Sequence, residues 1–403
     1  MIVSAHIRLD SSLSGNVCWH WPPTAARELL MCDADGAAPR LLVNGDVERR
    51  WNHPLDALRW LAADATSRAP RSGRWIGFLS YDLGRYFEQL PATAHDDLRL
   101  PLYAFAWCPA SVPAAAPPPA QATGPSPAGG MSRTFTREAF ERAVARAVEY
   151  IAAGDIFQVN LAQRFSVNLP DVPAAVYARL LERHPAWYGG YLDFGDFCLL
   201  SNSPELFLRI SRDGPDRPRR VITRPIKGTR PRRPGMDVEL LHSIKDQAEL
   251  NMIVDLERND LGRVCRIGSV RVLEGRVIEA HPTVYHGVAT IEGLLREDVG
   301  FVELLAAVFP GGSVTGAPKI RAMQIIEELE PVRRGPYCGA IGYLAPDGSM
   351  EFNIAIRTIV VKGGVAHVSV GGGIVADSQP RAEYEETLTK ATAMFDALGV
   401  NQA

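Results

Sequence analysis

The sequence predicts an α+β fold, a layered sandwich of mostly antiparallel β-sheets with outer helices. Three observations predict it. Strand-like runs arrive in clusters rather than in strict alternation with helices. Short turns such as APDGS (345–349) and KGG (362–364) join β-branched runs into hairpins. Helix-period stretches lie between and after the clusters. The chain has 403 residues, 46% hydrophobic and 22% charged, enough to fill a large core.

The elements follow in order. Residues 1–108 form an N-terminal α+β segment that completes the sandwich. Its helical stretch is DALRWLAADA (56–65), and RWIGFLSYDLGRYF (74–87) reads as one strand-like run. Residues 109–130 hold seven prolines and no charge, a Pro/Ala/Gly-rich linker without the means to build a core. The remaining residues, 131–403, form the catalytic core. There Thr136 caps a helix over REAFERAVARAVEYIAAG, and Gly154 stops it. Strands are predicted in IFQVNLAQRFSV, YGGYLDFGDFCLLSNS, LFLRIS, SVRVLEGRVIEAHPTVYHGVATIEG and the block from Tyr337 to Ser378. Helices are predicted over LLHSIKDQAELNMIVDLERNDLGRVC, FVELLAAVFP, APKIRAMQIIEELE and RAEYEETLTKATAMFDALG. RDGPDRPRR (212–220) reads as a charged surface loop.

The formal net charge of −3 gives no support to binding nucleic acid or an anionic membrane. No apolar run approaches the roughly 20 residues needed to span a bilayer, and the first residues, MIVSAHIRLD, lack a secretory pattern. Both absences point to the cytoplasm. Six scattered cysteines form no C-x-x-C pair, so they read as reduced, buried thiols. Cys338, set among glycines in PYCGA, belongs with them.

Several clusters carry chemistry. Glu383, Glu386 and Lys390 share one face of the last helix, and Asp246 and Glu249 sit at i and i+3 on another. Spacing alone leaves open whether these are solvated acidic faces or two halves of a cation site. Such a site would suit Mg²⁺, which takes one or two carboxylates and keeps several waters. PGGSVTGAPK (310–319) and VGGGIVADS (370–378) read as tight glycine turns. Lys227, in ITRPIKGTRPR, sits in a stiff Pro/Gly turn crowded by Arg224 and Arg230. Like charge pointing inward would push its pKa down; if the arginines point outward, desolvation must do so.

From residue 134 to 400 the chain resembles the chorismate-utilising enzymes, and within them the aminodeoxychorismate synthase component I branch, related to anthranilate synthase component I. The resemblance rests on GDIFQVNLAQRF, SNSPELFL, RPIKGTRPR, KDQAELNMIVDLERNDLGRVC, FPGGSVTGAPK, GPYCGAIGY, IAIRT and GGGIVADSQPRAEYEETLTK, in that order. It implies direct Mg²⁺ ligands at Glu249 and Glu386 and water-mediated ones at Asp246 and Glu383. It implies that Arg357 and Tyr337 bind the enolpyruvyl carboxylate of chorismate, and that Gly371 and Gly373 offer backbone N–H groups. Gly228 and Thr229 would line the ring, Lys390 would balance the carboxylates, and His286 would lie near the ring. Glu205 matches the general acid for the departing C4 hydroxyl.

Two positions set the reaction that the resemblance implies. Relatives that add water carry a lysine base where this chain has Gln158, so glutamine here argues for an amine nucleophile. Anthranilate synthases resemble PIAGT where this chain reads PIKGT. Lys227 is then the nucleophile that attacks C2, and ammonia replaces it at C4 to give 4-amino-4-deoxychorismate for p-aminobenzoate and folate formation. A separate glutamine amidotransferase subunit is expected to supply the ammonia, as a heterodimer. The rivals are anthranilate synthase component I and, from another class, a non-catalytic ligand-binding regulator on the same scaffold.

Overall fold

The computed structural model describes residues 5–10, 19–21, 27–69, 72–109, 112–113, 130–211 and 217–400, with backbone alone at 19–21 and 112–113. Two antiparallel sheets stack face to face. The first runs Gly316–Ala317, Gln158–Asn168, Val365–Ile374, Thr358–Lys362, Phe197–Ser203, Tyr188–Asp193, His6–Asp10, Trp19–Trp21 and Val112–Pro113. The second runs Ile226–Pro231, Val284–Leu294, Arg220–Arg224, Leu206–Ser211, Met350–Ile354, Ala340–Leu344, Gly73–Leu79, Tyr103–Pro109, Glu28–Cys32, Arg40–Val43 and Asp46–Arg50. Strands from the first 109 residues therefore enter both sheets. Alternation places Ile7, Leu192 and Leu199 of the first sheet against Ile76, Phe78 and Ile341 of the second, a dry layer between them.

Helices cover the outer faces. α1 (Pro54–Ser67) starts at His53, whose ring accepts from the Leu55 N–H. α2 (Arg137–Ala152) starts at Thr136, whose hydroxyl accepts from Ala139, and Gly154 follows its end at φ +82°. α3 (Pro173–Arg183), α4 (Met236–His242), α5 (Ile244–Gly262), α6 (Phe301–Val308), α7 (Lys319–Leu329) and α8 (Pro380–Leu398) complete the set among the described residues. α1, α5 and α6 bury their apolar faces with the second sheet, α3 and α8 with the first. No helix among the described residues is long and apolar enough to cross a membrane.

The structure departs from the sequence reading at several places. The predicted helix 240–265 is two helices, because Ser243 ends α4 and caps α5 by accepting from the Asp246 N–H. The run 74–87 is a strand only to Leu79. The Tyr81 N–H then turns to the Gly335 carbonyl, and a 3₁₀ helix follows. α3 lies in PAAVYARLLER, which the sequence reading passed over. VGGGI is not a turn but the interior of strand Val365–Ile374, paired with Gln158–Asn168. Within the linker, Val112–Pro113 pairs with Trp19–His20, while most of 110–129 lies outside the described residues. Residues 212–216 of the charged loop lie outside them too. Five cysteines are free and buried, Cys338 among them; Cys18 is outside the described residues.

One buried ion pair ties these parts together. Arg334 and Glu330 meet at 2.6 Å with side chains 2% and 5% exposed. Glu330 also accepts from the Ala162 N–H, and Arg334 donates to the Asn160 and Val314 carbonyls. Arg334→Ala strands the Glu330 charge in the core. It is expected to cost about 3–5 kcal/mol of unfolding free energy in urea titration; a loss below about 1 kcal/mol would show the pair to be dispensable.

Candidate active site

Two of the chain's crossings between the sheets lie side by side. One crossing joins Phe197–Ser203 to Leu206–Ser211 and carries Glu205; the other joins Met350–Ile354 to Thr358–Lys362 and carries Arg357. Backbone hydrogen bonds lock them together: the Asn202 N–H donates to the Arg357 carbonyl and the Ile354 N–H to the Glu205 carbonyl, each at 3.0 Å. The Ser203 hydroxyl adds a third bond, to the Ile354 carbonyl at 2.6 Å. Arg357 adopts φ +49°, an uncommon conformation for a side-chain-bearing residue. Its guanidinium has no ion-pair partner among the described residues. An unpaired, partly buried arginine fork suits a carboxylate ligand.

Lys227 is not in a turn. It lies in strand Ile226–Pro231, where the pairing with Val284–Leu294 slips between Ile226 and Thr229. Gly228 takes φ +82° at this bulge. A bulge re-aims one side chain, and Lys227 Nζ donates to the Ser313 carbonyl at 3.2 Å. A Cβ on Gly228 would lie 2.6 Å from Leu240 and 2.8 Å from Asp246, so glycine is required there by space as well. The arginines turn away from the amine. Arg224 pairs with Glu279, and Arg230 reaches Glu239 at 2.9 Å and Asp246 at 3.0 Å. Burial is the largest cause that pushes the Lys227 pKa below its ordinary value, helped by Lys390 and opposed by Glu249, Glu205 and Glu386. Of the two alternatives the sequence leaves open for the arginines, the structure takes the outward one, and desolvation lowers the amine's pKa.

Glu205 is 4% exposed. Burial raises its pKa, and Ser313, Lys227 and Arg357 hold it partly down. A carboxyl so placed stays protonated to higher pH, as a proton donor must. His286 is 1% exposed, with Nδ1 2.9 Å from the Thr229 hydroxyl. Its Nε2 is buried without a partner. Burial, Arg357 and His281 drive its pKa well down, so the ring is neutral at neutral pH. The Gln158 Oε1 is also buried and unpartnered, and the Ser313 hydroxyl is buried.

The acidic residues of α5 and α8 converge. Burial raises Glu249, and the charges of Asp246 and Glu386 add to that, while Lys227 and Lys245 oppose it. Glu386 is half exposed and 2.7 Å from Lys390, which lowers its pKa. Glu383 is buried, raised by burial, and accepts from the Ser378 hydroxyl at 2.6 Å. Lys390 also donates to the Gly371 carbonyl at 2.9 Å. Small residues make this approach feasible. A Cβ on Gly372 would stand 3.4 Å from Glu383 and 3.5 Å from Glu386. One on Gly373 would stand 2.2 Å from the Gln158 amide, and one on Gly371 2.6 Å from the Leu161 carbonyl. Among the described residues no three acidic, histidine or cysteine side chains close around a point. Two oxygen ligands with water and a bound anion is the set that suits a hard divalent cation.

Tyr337 is 5% exposed and lines a small pocket with Ala162, Arg164, Glu330 and Arg334. Sequence reasoning passed over Ser313, Lys245 and Glu257. Ser313 lies inside the glycine stretch it had marked, and Lys245 stands one turn before Glu249 on α5.

A family described as chorismate binding enzyme matches residues 25–396. Anthranilate synthase component 1 of Thermus thermophilus is 46% identical over 374 residues, 83% of this chain and 79% of that protein. Aminodeoxychorismate synthase component 1 of Bacillus subtilis is 40% identical over 375 residues, 82% of this chain and 78% of that protein. Among solved structures, anthranilate synthase component I from Streptococcus pneumoniae TIGR4 superposes with a TM-score of 0.78 at 30% identity, covering 96% of this chain and 92% of that one.

The Lys227 amine gives a direct test of this environment. Its folded pKa lies below the unfolded one, so the unfolded state binds more protons between the two, and stability rises with pH across that window. The burden on the fold is fully present below the folded pKa. Lys227→Met is therefore expected to raise the thermal midpoint at neutral pH, with the gain shrinking as pH climbs toward the ordinary lysine value. A gain independent of pH would place the amine in solvent.

Proposed function

The chain belongs to the chorismate binding enzyme family, and from that premise we propose that it aminates chorismate at C4 to give 4-amino-4-deoxychorismate. The observation that carries this reading is Lys227, whose amine stands at a bulge among Glu205, Glu249 and Glu386. A desolvated amine is a nucleophile. It attacks C2 of the ring, both ring double bonds shift, and the C4 hydroxyl leaves as water with the proton of Glu205. Ammonia then forms a bond to C4, both double bonds return, and Lys227 departs as a free amine. While C2 is occupied, amination there is blocked.

The other residues hold the substrate. Arg357 takes the enolpyruvyl carboxylate, with Tyr337 closing behind it. Gly371 and Gly373 let the backbone approach, and Gly228 and Thr229 border the ring. His286, neutral, faces it with an unpartnered nitrogen. Glu249 and Glu386 would hold Mg²⁺ directly, Asp246 and Glu383 through water, with Lys390 balancing the carboxylates. Bound there, the cation would neutralise the ring carboxylate of chorismate. The relatives named component 1 imply a second component, and a glutamine amidotransferase that supplies ammonia fits that role. The product then serves p-aminobenzoate and folate formation in the cytoplasm.

The second reading is anthranilate synthesis, favoured by the 46% identity to the Thermus protein against 40% to the Bacillus one. Overall identity weighs the whole chain, whereas the reaction turns on one position. The isolated chain, given chorismate, Mg²⁺ and an ammonium salt, is expected to yield the 4-amino product by mass spectrometry. Fluorescent anthranilate in its place would establish the second reading. Lys227→Ala is expected to abolish the 4-amino product, and Glu205→Gln to slow turnover about 10²–10⁴-fold. A Lys227→Ala variant with wild-type output would remove covalent catalysis from the account.

A further inference from the structure

Resting on that reading, we infer that Glu257 is a proton-relay residue, which returns to Glu205 the proton that each turnover takes. The demand comes from the balance of the reaction. Glu205 gives its proton to the C4 hydroxyl, the C–O bond breaks, and water leaves. Neutral ammonia then bonds to C4 and becomes an alkylammonium group, which keeps its three protons near neutral pH because such amines titrate near about 10. Lys227 loses and regains no net proton over its attack and departure. One proton per turnover must therefore reach the Glu205 carboxylate from solvent. Glu205 is 4% exposed, and of its charged neighbours Arg357 keeps its proton and Lys227 acts as a neutral amine.

Glu257 stands on the other side of one short segment. It lies on α5 two turns beyond Glu249, is 8% exposed, and accepts from the Thr223 hydroxyl at 2.9 Å. Thr223 precedes Arg224, which pairs across the sheet with Leu206, the residue after Glu205. A Cβ on Gly312 would sit 3.5 Å from Glu257 Cγ. The next residue is Ser313, whose carbonyl holds Lys227 and whose buried hydroxyl lies beside Glu205. Glu257 and Glu205 thus flank Gly312–Ser313, and the serine hydroxyl can pass a proton between them.

Beyond Glu257 lies a small pocket lined by Thr223, Asp260, Gly311 and Gly312. Its polar wall ends at Asp260, which meets Lys319 of α7 at 2.5 Å. Burial pushes the Glu257 carboxyl up to about 8; Glu205 and Asp260 add to this, while Thr223 and Lys319 oppose it. Glu257 therefore holds a proton at neutral pH and can give it up. A purely structural role would be filled at lower cost by an apolar or amide side chain, since a buried carboxyl must be desolvated.

The experiment follows chorismate turnover by the full chain with ammonium salt and Mg²⁺, from about pH 6.5 to about pH 9. Glu257→Gln keeps the shape and the acceptor for Thr223. It is expected to lower kcat about tenfold or more, to leave KM for chorismate unchanged, and to erase the basic limb near pH 8. Glu257→Asp should restore part of the rate, and Thr223→Val, which keeps the carboxyl but removes its donor, should move the limb to higher pH. Unchanged kcat and an unchanged basic limb in both Glu257→Gln and Thr223→Val would overturn the relay. The wild-type product, read by mass spectrometry, separately judges the C4 amination. The ratio of variant to wild-type turnover judges the relay whichever aminated product forms.

Discussion

The site depends on one constraint, the pair of neighbouring crossings between the two sheets. A chain that leaves one sheet for another abandons its ladder partners, and buried backbone groups at the break need new ones. Here the two crossings satisfy each other, through Asn202 to Arg357 and Ile354 to Glu205. The side chains at the break are thereby fixed at the seam of the sandwich, where no strand pairing competes for them. Glu205 and Arg357, an acid and an unpaired cation, face one another's field there. The bulge at Lys227 in the second sheet and the glycine-lined strand Val365–Ile374 in the first bring the remaining groups to the same seam.

Desolvation then does most of the electrostatic work. It pushes Glu205, Glu249 and Glu257 up and Lys227 and His286 down, in every case favouring the neutral form. The sandwich supplies this environment through its apolar layers, and the local ion pairs are arranged so as not to undo it. Arg224 and Arg230 spend their charge on Glu279, Glu239 and Asp246. A lysine beside two guanidiniums in sequence is thus, in space, beside three carboxylates.

Much of this was legible in the sequence. Hairpin turns and clustered strands announced the antiparallel sheets, and Thr136 with Gly154 marked both ends of α2. The acidic pairs on α5 and α8 were visible as helix faces, but that they converge depends on packing that periodicity does not carry. Ser243 was misread because helix-forming residues lie on both sides, and only the cap geometry breaks the run. The glycines at 371–373 look like a turn in one dimension. In the fold they are a strand stripped of side chains so that α8 and Gln158 can approach. Glu257 was hidden for a related reason, since an acidic residue in a charged helix carries no mark of being buried.

The central claim is a covalent bond between Lys227 and C2 of the substrate. The most direct measurement is peptide mapping by mass spectrometry after the isolated chain is mixed with chorismate and Mg²⁺, without ammonia, and quenched in denaturant. With no nucleophile to release it, the adduct should accumulate as chorismate less one water on the peptide that contains Lys227. An unmodified Lys227 peptide, under conditions where the same preparation aminates chorismate once ammonia is added, would contradict the account.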